Sequence, residues 1–236
     1  RLRRFERELD GLSKFVVFVT EQESKIYRSF HATEKIRVVE NGVDLKYFDP
    51  GAEISPLPQP DTPLRLVFVG AMDYYPNVDG VTWFVQDVWP HIRDNCDVVF
   101  QIVGAGAGQG LRRLAAETPG VTLVGDVPDV RPYLRDSIGV IPLRIARGLQ
   151  NKVLEAMAMA CPVIASPAAL EGLDVRVGQD VLAAEGVDDW VGQLRQLIHS
   201  PIMRKQLGTA ARSRIENRYR WPDRLKVLEE LLELNG

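Results

Sequence analysis

The sequence predicts an α/β fold built on a doubly wound parallel sheet, with a helical C-terminal tail. Apolar runs rich in β-branched residues, typical of buried parallel strands, alternate with segments of helical periodicity. The strand-like runs are 15–19, 64–69, 98–103, 121–124, 138–142 and 162–165. In such sheets ligands bind beyond the carboxyl ends of the strands, at the point where the strand order reverses.

The residues before the predicted sheet divide into two parts. Residues 1–50 contain a short basic helix, a strand and a second helix, at whose start Thr20 and Glu23 can form a capping box. The turn signal Asn-Gly-Val-Asp at 41–44 lies near the end of this part. Residues 51–63 are rich in proline and have neither a helical nor a strand pattern, so we interpret them as a linker.

Helical patterns separate the strands of the predicted sheet. They cover 77–88, with Asn77 as the N-cap, 111–117, 130–136 and 151–160. After residue 186 the pattern is helical to the end of the chain, and Pro222 stands in the first turn of the last helix. We therefore assign residues 64–220 to the sheet domain and residues 221–236 to a terminal helix.

Composition and charge argue against several classes of protein. The chain has 236 residues, of which 45% are hydrophobic and 26% charged, as is ordinary for a globular α/β protein. A formal net charge of −3 gives no basic footprint for a nucleic-acid partner, and no apolar run approaches the ~20 residues of a membrane span. Cys96 and Cys161 indicate neither a disulfide framework nor a metal motif. We expect a cytoplasmic protein and, because the chain starts at Arg1, a piece of a longer one.

Lys152 opposes a local rule of helix stability. It stands in the first turn of the helix predicted from Asn151, where a cation faces the positive end of the helix dipole. Residues that break such a rule without a structural gain tend to be functional, and an anion bound at the helix start would remove the conflict. The preceding loop adds Arg144, Arg147 and Gly148. Guanidinium, ammonium and free helical N–H groups together favour a diphosphate cradle.

Glu155 lies one turn further along the same helix face as Lys152. It could accept hydrogen bonds from a ribose diol, or the two side chains could form a surface ion pair worth ~0–1 kcal/mol. The glycine-rich run 104–110 is similar to a dinucleotide fingerprint, but Gln109 replaces the third glycine, which favours a flexible turn that lets strand and helix meet. The histidines are isolated along the chain, so no metal site is predicted.

Four stretches together resemble the nucleotide-binding half of the group 1 (family 4) glycosyltransferases of the GT-B fold. They are 41–50, 68–77, 125–130 and 149–164. The closest sub-pattern is that of bacterial sugar transferases associated with exopolysaccharide systems. The resemblance covers the chain from about residue 15 onward and implies the Rossmann-like, donor-binding C-terminal domain of a GT-B enzyme.

The resemblance implies a transferase that moves the sugar of a nucleotide diphosphate, UDP- or GDP-linked, to an acceptor in polysaccharide or glycoconjugate synthesis. The transfer would be retaining and metal-independent, and no cofactor is expected. Lys152 and Arg147 would be the catalytic cations, because positive charge offsets the phosphate charge as the glycosidic bond breaks.

The resemblance also implies how the donor is held. Gly70 would let the chain approach the diphosphate, Glu155 would hold the ribose, and backbone groups near Val127 and Asp129 would hold the base. The remaining contacts would come from the loop before the signature helix and from its first residue: Gly148, Leu149, Gln150 and Asn151.

The chain departs from the family pattern at three positions. Arg147 stands where relatives place an acid, eight residues before Glu155, and Ala71 and Pro76 replace an arginine and a lysine of the first loop. We hypothesise that Arg147 and Lys152 supply that charge instead. A GT-B-fold sugar-nucleotide epimerase and a non-catalytic sugar-nucleotide-binding module stay open as alternatives, whereas Gln109 counts against a nicotinamide dehydrogenase.

A partner domain is the last expectation from the resemblance. The acceptor would be held by an N-terminal domain of which residues 1–50 are the tail, and the final helix would cross back onto it. Leu2, Phe5, Leu9 and the leucines from Leu225 onward would then form apolar surface for that domain. We expect this chain alone to bind donor weakly without turnover, and the full-length protein to contact the inner membrane peripherally.

Overall fold

The N-terminal unit is a two-stranded parallel sheet with two helices, in a computed structural model that describes residues 2–55, 57, 63–94, 96–146 and 148–233. Its elements are α1 (Leu2–Leu12), β1 (Val16–Phe18), α2 (Glu21–Arg28) and β2 (Ile36–Val38). The Thr20 hydroxyl accepts a hydrogen bond from the Glu23 backbone N–H at 3.1 Å, which confirms the predicted cap of α2.

The main sheet is parallel and comprises six strands within the described residues. They are β3 (Leu64–Val69), β4 (Val98–Val103), β5 (Val121–Gly125), β6 (Ser137–Ile141), β7 (Val163–Ala165) and β8 (Leu182–Ala183). Their order is β5-β4-β3-β6-β7-β8, so the order reverses between β3 and β6. This arrangement confirms the predicted doubly wound α/β fold. The prediction that β6 ends at Pro142 is wrong. The strand ends at Ile141, because proline has no N–H for the ladder.

Helices connect the strands and form the C-terminal region. They are α3 (Tyr75–Trp83), α4 (Trp89–Arg93), α5 (Gln109–Glu117), α6 (Arg131–Leu134), α7 (Asn151–Ala158), α8 (Pro167–Leu170), α9 (Gly186–His199), α10 (Pro201–Arg218) and α11 (Trp221–Glu233). A π-helical turn, Phe84–Val88, joins α3 to α4. The prediction that Asn77 caps α3 is wrong: the helix begins after Tyr74, with Pro76 in its first turn, where a missing N–H costs nothing.

The core between the sheet and its helices is apolar. Leu66, Phe68, Phe100, Ile102 and Ile138 are fully buried on the central strands. Because such strands are covered on both faces, they appear in the sequence as predominantly apolar runs. The core therefore forms a rigid platform from which the loops at the carboxyl ends of the strands project.

The start of α11 packs against the connection that follows β2. The Val43 backbone N–H donates to the Tyr219 carbonyl at 2.7 Å, and Arg224 pairs with Glu40 at 2.9 Å. The predicted division at residues 50, 63 and 220 stays a prediction. Much of the proline-rich linker lies outside the described residues, as do residues 234–236 of the terminal segment.

Several apolar side chains of α1 and α11 lie exposed. Phe5 is 55% exposed, Leu9 47% and Leu232 70%, whereas Leu231 is buried. The side chain of Leu2 lies outside the described part of the chain. In that described part, none of the helices has the length and apolar character needed to cross a membrane.

Candidate functional site

The loops after β3 and β6 meet where the strand order reverses, and we call this place the switch-point site. Gly70 follows β3 directly, and the loop after β6 leads into α7. A Cβ atom on Gly70 would lie 3.3 Å from Cε of Lys152. The structure thus brings together Gly70, predicted to bind the donor, and Lys152, predicted to be catalytic, at the edge of the sheet where doubly wound proteins bind ligands.

Lys152 is held at this site by neutral groups. Its ammonium donates to Oδ1 of Asn77 at 2.9 Å and to Oε1 of Gln150 at 3.3 Å, and Nζ lies 5.5 Å from the centroid of the Phe68 ring. Burial lowers the pKa of Lys152 to about 8, and the charge of Glu155 opposes this shift. Within the described residues Lys152 and Glu155 interact through their charges without a hydrogen bond or a close ion pair, so the alternative of a Lys152–Glu155 surface pair is wrong.

The first turn of α7 carries no side-chain cap from the described residues. Gln150 stands at the N-cap position, where its side chain bonds Gly148 and Lys152 instead of the helix N–H groups. The turn has no acidic residue, and the side chain of Asn151 accepts from Asn41 at 3.0 Å. The positive end of this helix and the Lys152 ammonium therefore lie at the same place, as an anion site requires.

Glu155 is half-buried on the same helix. Burial raises the pKa of its carboxyl group, and the Lys152 ammonium opposes this rise. No donor among the described residues hydrogen-bonds to this carboxylate, so it keeps its full capacity to accept bonds from hydroxyl groups.

Glycines let the loops after β3 and β4 approach each other. Gly104 has φ +141°, and a Cβ atom there would lie 1.9 Å from the Gly70 carbonyl oxygen. The Gly104 N–H donates to the Gly125 carbonyl at 2.7 Å, which joins the loop after β5 to the same cluster. The glycine-rich run thus serves close packing, which favours the turn interpretation over the dinucleotide fingerprint.

The loop after β5 is anchored through Asp129. Its carboxylate accepts from Arg131 at 2.8 Å and from the Tyr47 hydroxyl at 3.1 Å. The Arg131 hydrogen bonds hold the pKa of Asp129 below its ordinary value. Val127 packs partly buried on the core. The Asp129 side chain therefore fixes the loop, and a backbone contact with a nucleobase stays a prediction.

Arg144, in the loop before α7, does not join Lys152 in the hypothesised cradle. Arg144 pairs with Asp79 on α3, with Nε 2.9 Å from Oδ2, and is half exposed. Arg147 lies outside the described residues. Gly148 has φ +65° and lies near Glu23: a Cβ atom on it would be 3.6 Å from that carboxylate.

Two neighbours of Lys152 were missed by sequence reasoning as site residues. Asn77 is 3% exposed and Phe68 is fully buried. The sequence pattern predicts a helix cap at Asn77 and an ordinary buried strand residue at Phe68. The useful signal was Pro76, because its preference for a first helical turn places Asn77 inside the helix.

Among the described residues, no group of three or more His, Cys, Asp or Glu side chains is placed to hold a metal ion.

Sequence comparison gives one family match. Residues 63–200 match the model of the family described as "Glycosyl transferases group 1". No curated protein matches the sequence significantly.

Solved structures with similar folds include a glycosyltransferase from Rickettsia africae ESF-5, with a TM-score of 0.76 at 20% identity over 92% of this chain. A TarM variant from S. aureus, in complex with ligands that include UDP, has a TM-score of 0.75 at 18% identity over 96% of this chain. HepE from Anabaena, in complex with UDP-glucose, has a TM-score of 0.72 at 14% identity over 94%. This chain spans 62%, 45% and 64% of their respective lengths. The likeness confirms the Rossmann-like half of a GT-B fold.

Proposed function

The chain belongs to the group 1 glycosyl transferases, and from that premise we propose that the switch-point site binds the diphosphate of a nucleotide-sugar donor. The observation that supports this most is the Lys152 ammonium, half-buried at an uncapped helix start and, among the described residues, hydrogen-bonded only to neutral groups. A buried cation without an ionic partner costs stability. A bound diphosphate would remove that cost, because it accepts bonds from the ammonium and from the helical N–H groups.

The donor we propose is a uridine or guanosine diphosphate sugar. Two structures of similar fold hold UDP or UDP-glucose, which supports uridine as the first base to test. Glu155 would bind the ribose hydroxyls, and backbone groups at Val127 and Asp129 would bind the base. Gly148, Leu149 and Asn151 would complete the donor site, with Gln150 holding Lys152.

The reaction we propose for the whole protein is glycosyl transfer to an acceptor, in the synthesis of a polysaccharide such as an exopolysaccharide. The bond from the anomeric carbon to the β-phosphate oxygen breaks, and its electron pair leaves with the nucleoside diphosphate. An acceptor oxygen bonds to that carbon and loses its proton. Lys152 stabilises the charge that develops on the leaving phosphate, and Arg147 is proposed as the second cation. NMR of the product would test retention of configuration, and activity in EDTA would test metal independence.

A partner domain completes this proposal. The exposed side chains of Phe5, Leu9 and Leu232 would pack against an N-terminal acceptor domain. That domain would carry any peripheral contact with the inner membrane. Transfer assays on this chain and on a full-length protein test the idea, since rapid turnover by this chain alone would refute it. Release of nucleotide together with a glycosylated product separates transfer from epimerisation.

We expect at least one of UDP, GDP, ADP and TDP to raise the melting temperature of the protein. A ligand that binds only the folded state at about 100 times its Kd stabilises it by about 2.7 kcal/mol. Thermal unfolding with each diphosphate measures this. If none of the four stabilised the protein at millimolar concentration, the proposed function would be wrong.

Glu155 is tested by comparing UDP with 2′-deoxy-UDP. We expect the native protein to bind UDP about tenfold more tightly, because the missing hydroxyl leaves the carboxylate without a charge-assisted bond. In Glu155→Ala this preference should disappear. Glu229→Ala, at an exposed position on α11, is the matched control and should retain it. An unchanged preference in Glu155→Ala would show that the ribose binds elsewhere.

A further inference from the structure

Asn77 links Lys152 to the loop after β3. Its Nδ2 donates to the Ala71 carbonyl oxygen at 2.8 Å, and its Oδ1 accepts from Lys152 at 2.9 Å. Because a carbonyl oxygen can only accept, the bond to Ala71 fixes which end of the amide is nitrogen. The oxygen is thereby presented to the ammonium in a single orientation.

The surroundings of Asn77 leave it little freedom. The residue is 3% exposed and lies in the first turn of α3, just after Pro76. A Cβ atom on Gly70 would lie 2.9 Å from Nδ2 of Asn77, so the amide fits in this position because residue 70 has no side chain. A buried polar side chain with both ends bonded is a rigid support for the group it holds.

The neutrality of this support matters as much as its position. An ammonium has three donors, and the described residues accept from it only through the amide oxygens of Asn77 and Gln150. These dipoles orient the group without neutralising its charge. Among titratable groups, Glu155 on the same helix acts on Lys152 through its charge, without a hydrogen bond. A carboxylate in place of Asn77 would instead neutralise the ammonium that an anionic ligand needs.

We propose that Asn77 is a positioning residue of the switch-point site, which holds the Lys152 ammonium by a neutral acceptor and keeps its charge available to a diphosphate. This inference rests on the proposed nucleotide binding and adds a residue outside the signature helix. It also accounts for Gly70, which makes room for the amide that orients Lys152.

The isosteric variant Asn77→Asp tests the proposal through two ligands. The probes are the diphosphate that stabilises the protein most among UDP, GDP, ADP and TDP, and its own nucleoside. We expect the diphosphate to bind at least about tenfold more weakly and the nucleoside to bind unchanged, because only the phosphates meet Lys152. Equal losses for both ligands, or no loss for either, would overturn the proposal. Asn217→Asp, which adds the same charge at an exposed position on α10, should change neither affinity.

A double-mutant cycle separates positioning from a general structural effect. The cycle uses Asn77→Ser, which adds no charge: it should weaken diphosphate binding in the native background, and in a Lys152→Met background it should change the affinity by less than about twofold. A loss as large as in the native background would show that Asn77 does not act through Lys152, and would overturn the proposal.

NMR tests the same link without a ligand. The Cε resonance of Lys152, assigned by its absence in Lys152→Met, should titrate at a higher pH in Asn77→Asp than in the native protein, because a carboxylate favours the charged lysine. If Asn77→Asp fails to fold, Asn77→Ser replaces it and should titrate at a lower pH than the native protein. An unchanged titration would refute the positioning role, whereas failure of every diphosphate to bind the native protein would refute the proposed function.

Discussion

Replacement of Lys152 by methionine is expected to lower the affinity for a nucleoside diphosphate about a hundredfold, while the free protein becomes slightly more stable at pH 7. A hundredfold loss corresponds to about 2.7 kcal/mol. That figure lies within the roughly 2–5 kcal/mol lost when one partner of a desolvated charge pair is truncated. Calorimetric titration of the native protein and the variant measures the loss.

The expected stability change follows from the pKa of Lys152. Burial lowers it from 10.5 to about 8, so the folded state bears a cost of up to about 3 kcal/mol for the charged form. This cost is fully present below pH 8 and is lost as the pH rises toward the unfolded value. Methionine removes the cost but leaves the Asn77 oxygen without its donor, which costs about 1–2 kcal/mol. We expect a net gain of about 1 kcal/mol at pH 7 and a net loss near pH 10.

Lys205→Met is the matched control for Lys152→Met. Lys205 is exposed and lies near Leu64 and Pro162, at the amino ends of the strands, which is the opposite edge of the sheet. Its replacement should change neither the diphosphate affinity nor the stability by more than about 0.5 kcal/mol. Unaltered diphosphate binding by Lys152→Met would contradict the proposed site.

Replacement of Gly104 by alanine is expected to destabilise the fold by about 3 kcal/mol or more. Its φ of +141° is one that L side chains rarely adopt, and the new Cβ atom would lie 1.9 Å from the Gly70 carbonyl oxygen. Backbone strain and overpacking each cost roughly 1–3 kcal/mol. The loops after β3 and β4 would have to separate, so diphosphate binding should weaken as well. Denaturant unfolding measures the change in stability.

Gly108→Ala is the control within the same loop. No atom lies within 4 Å of a Cβ built there, and the residue has an ordinary extended φ of −72°. Gly108 is the N-cap of α5, where alanine is less favourable than glycine, so its replacement should cost about 1 kcal/mol at most. Equal destabilisation by Gly104→Ala and Gly108→Ala would show that the close approach to Gly70 is not what requires a glycine.

The fold was largely predictable because buried parallel strands leave a strong pattern. Strands β3 and β4 were predicted to the residue, since each is an apolar run interrupted by one polar or charged residue, Arg65 in β3 and Gln101 in β4. Strand β8 was missed because its two residues are too few to form a pattern. The start of α3 differs from the prediction because the first-turn preference of Pro76 outweighs the capping preference of Asn77.

The site was predictable only where the signal was local. The position of Lys152 in the first turn of its helix was visible in the sequence, and it indicated an anion site. Its neutral partner was not, because Asn77 lies 75 residues away along the chain. Arg144 was expected beside the phosphate for its position in the loop, but it pairs with Asp79, 65 residues away. Contacts between distant segments depend on the packed fold and leave no periodic trace.

Proton uptake on diphosphate binding tests the central claim most directly. At about pH 9 the free Lys152, with a pKa of about 8, is mostly neutral, and a bound diphosphate would restore its charge. Calorimetric titrations with UDP, in two buffers of different ionisation enthalpy, should show an uptake of close to one proton, which is absent in Lys152→Met. Binding of UDP with no proton uptake, or with the same uptake in Lys152→Met, would contradict the assignment of the diphosphate to Lys152.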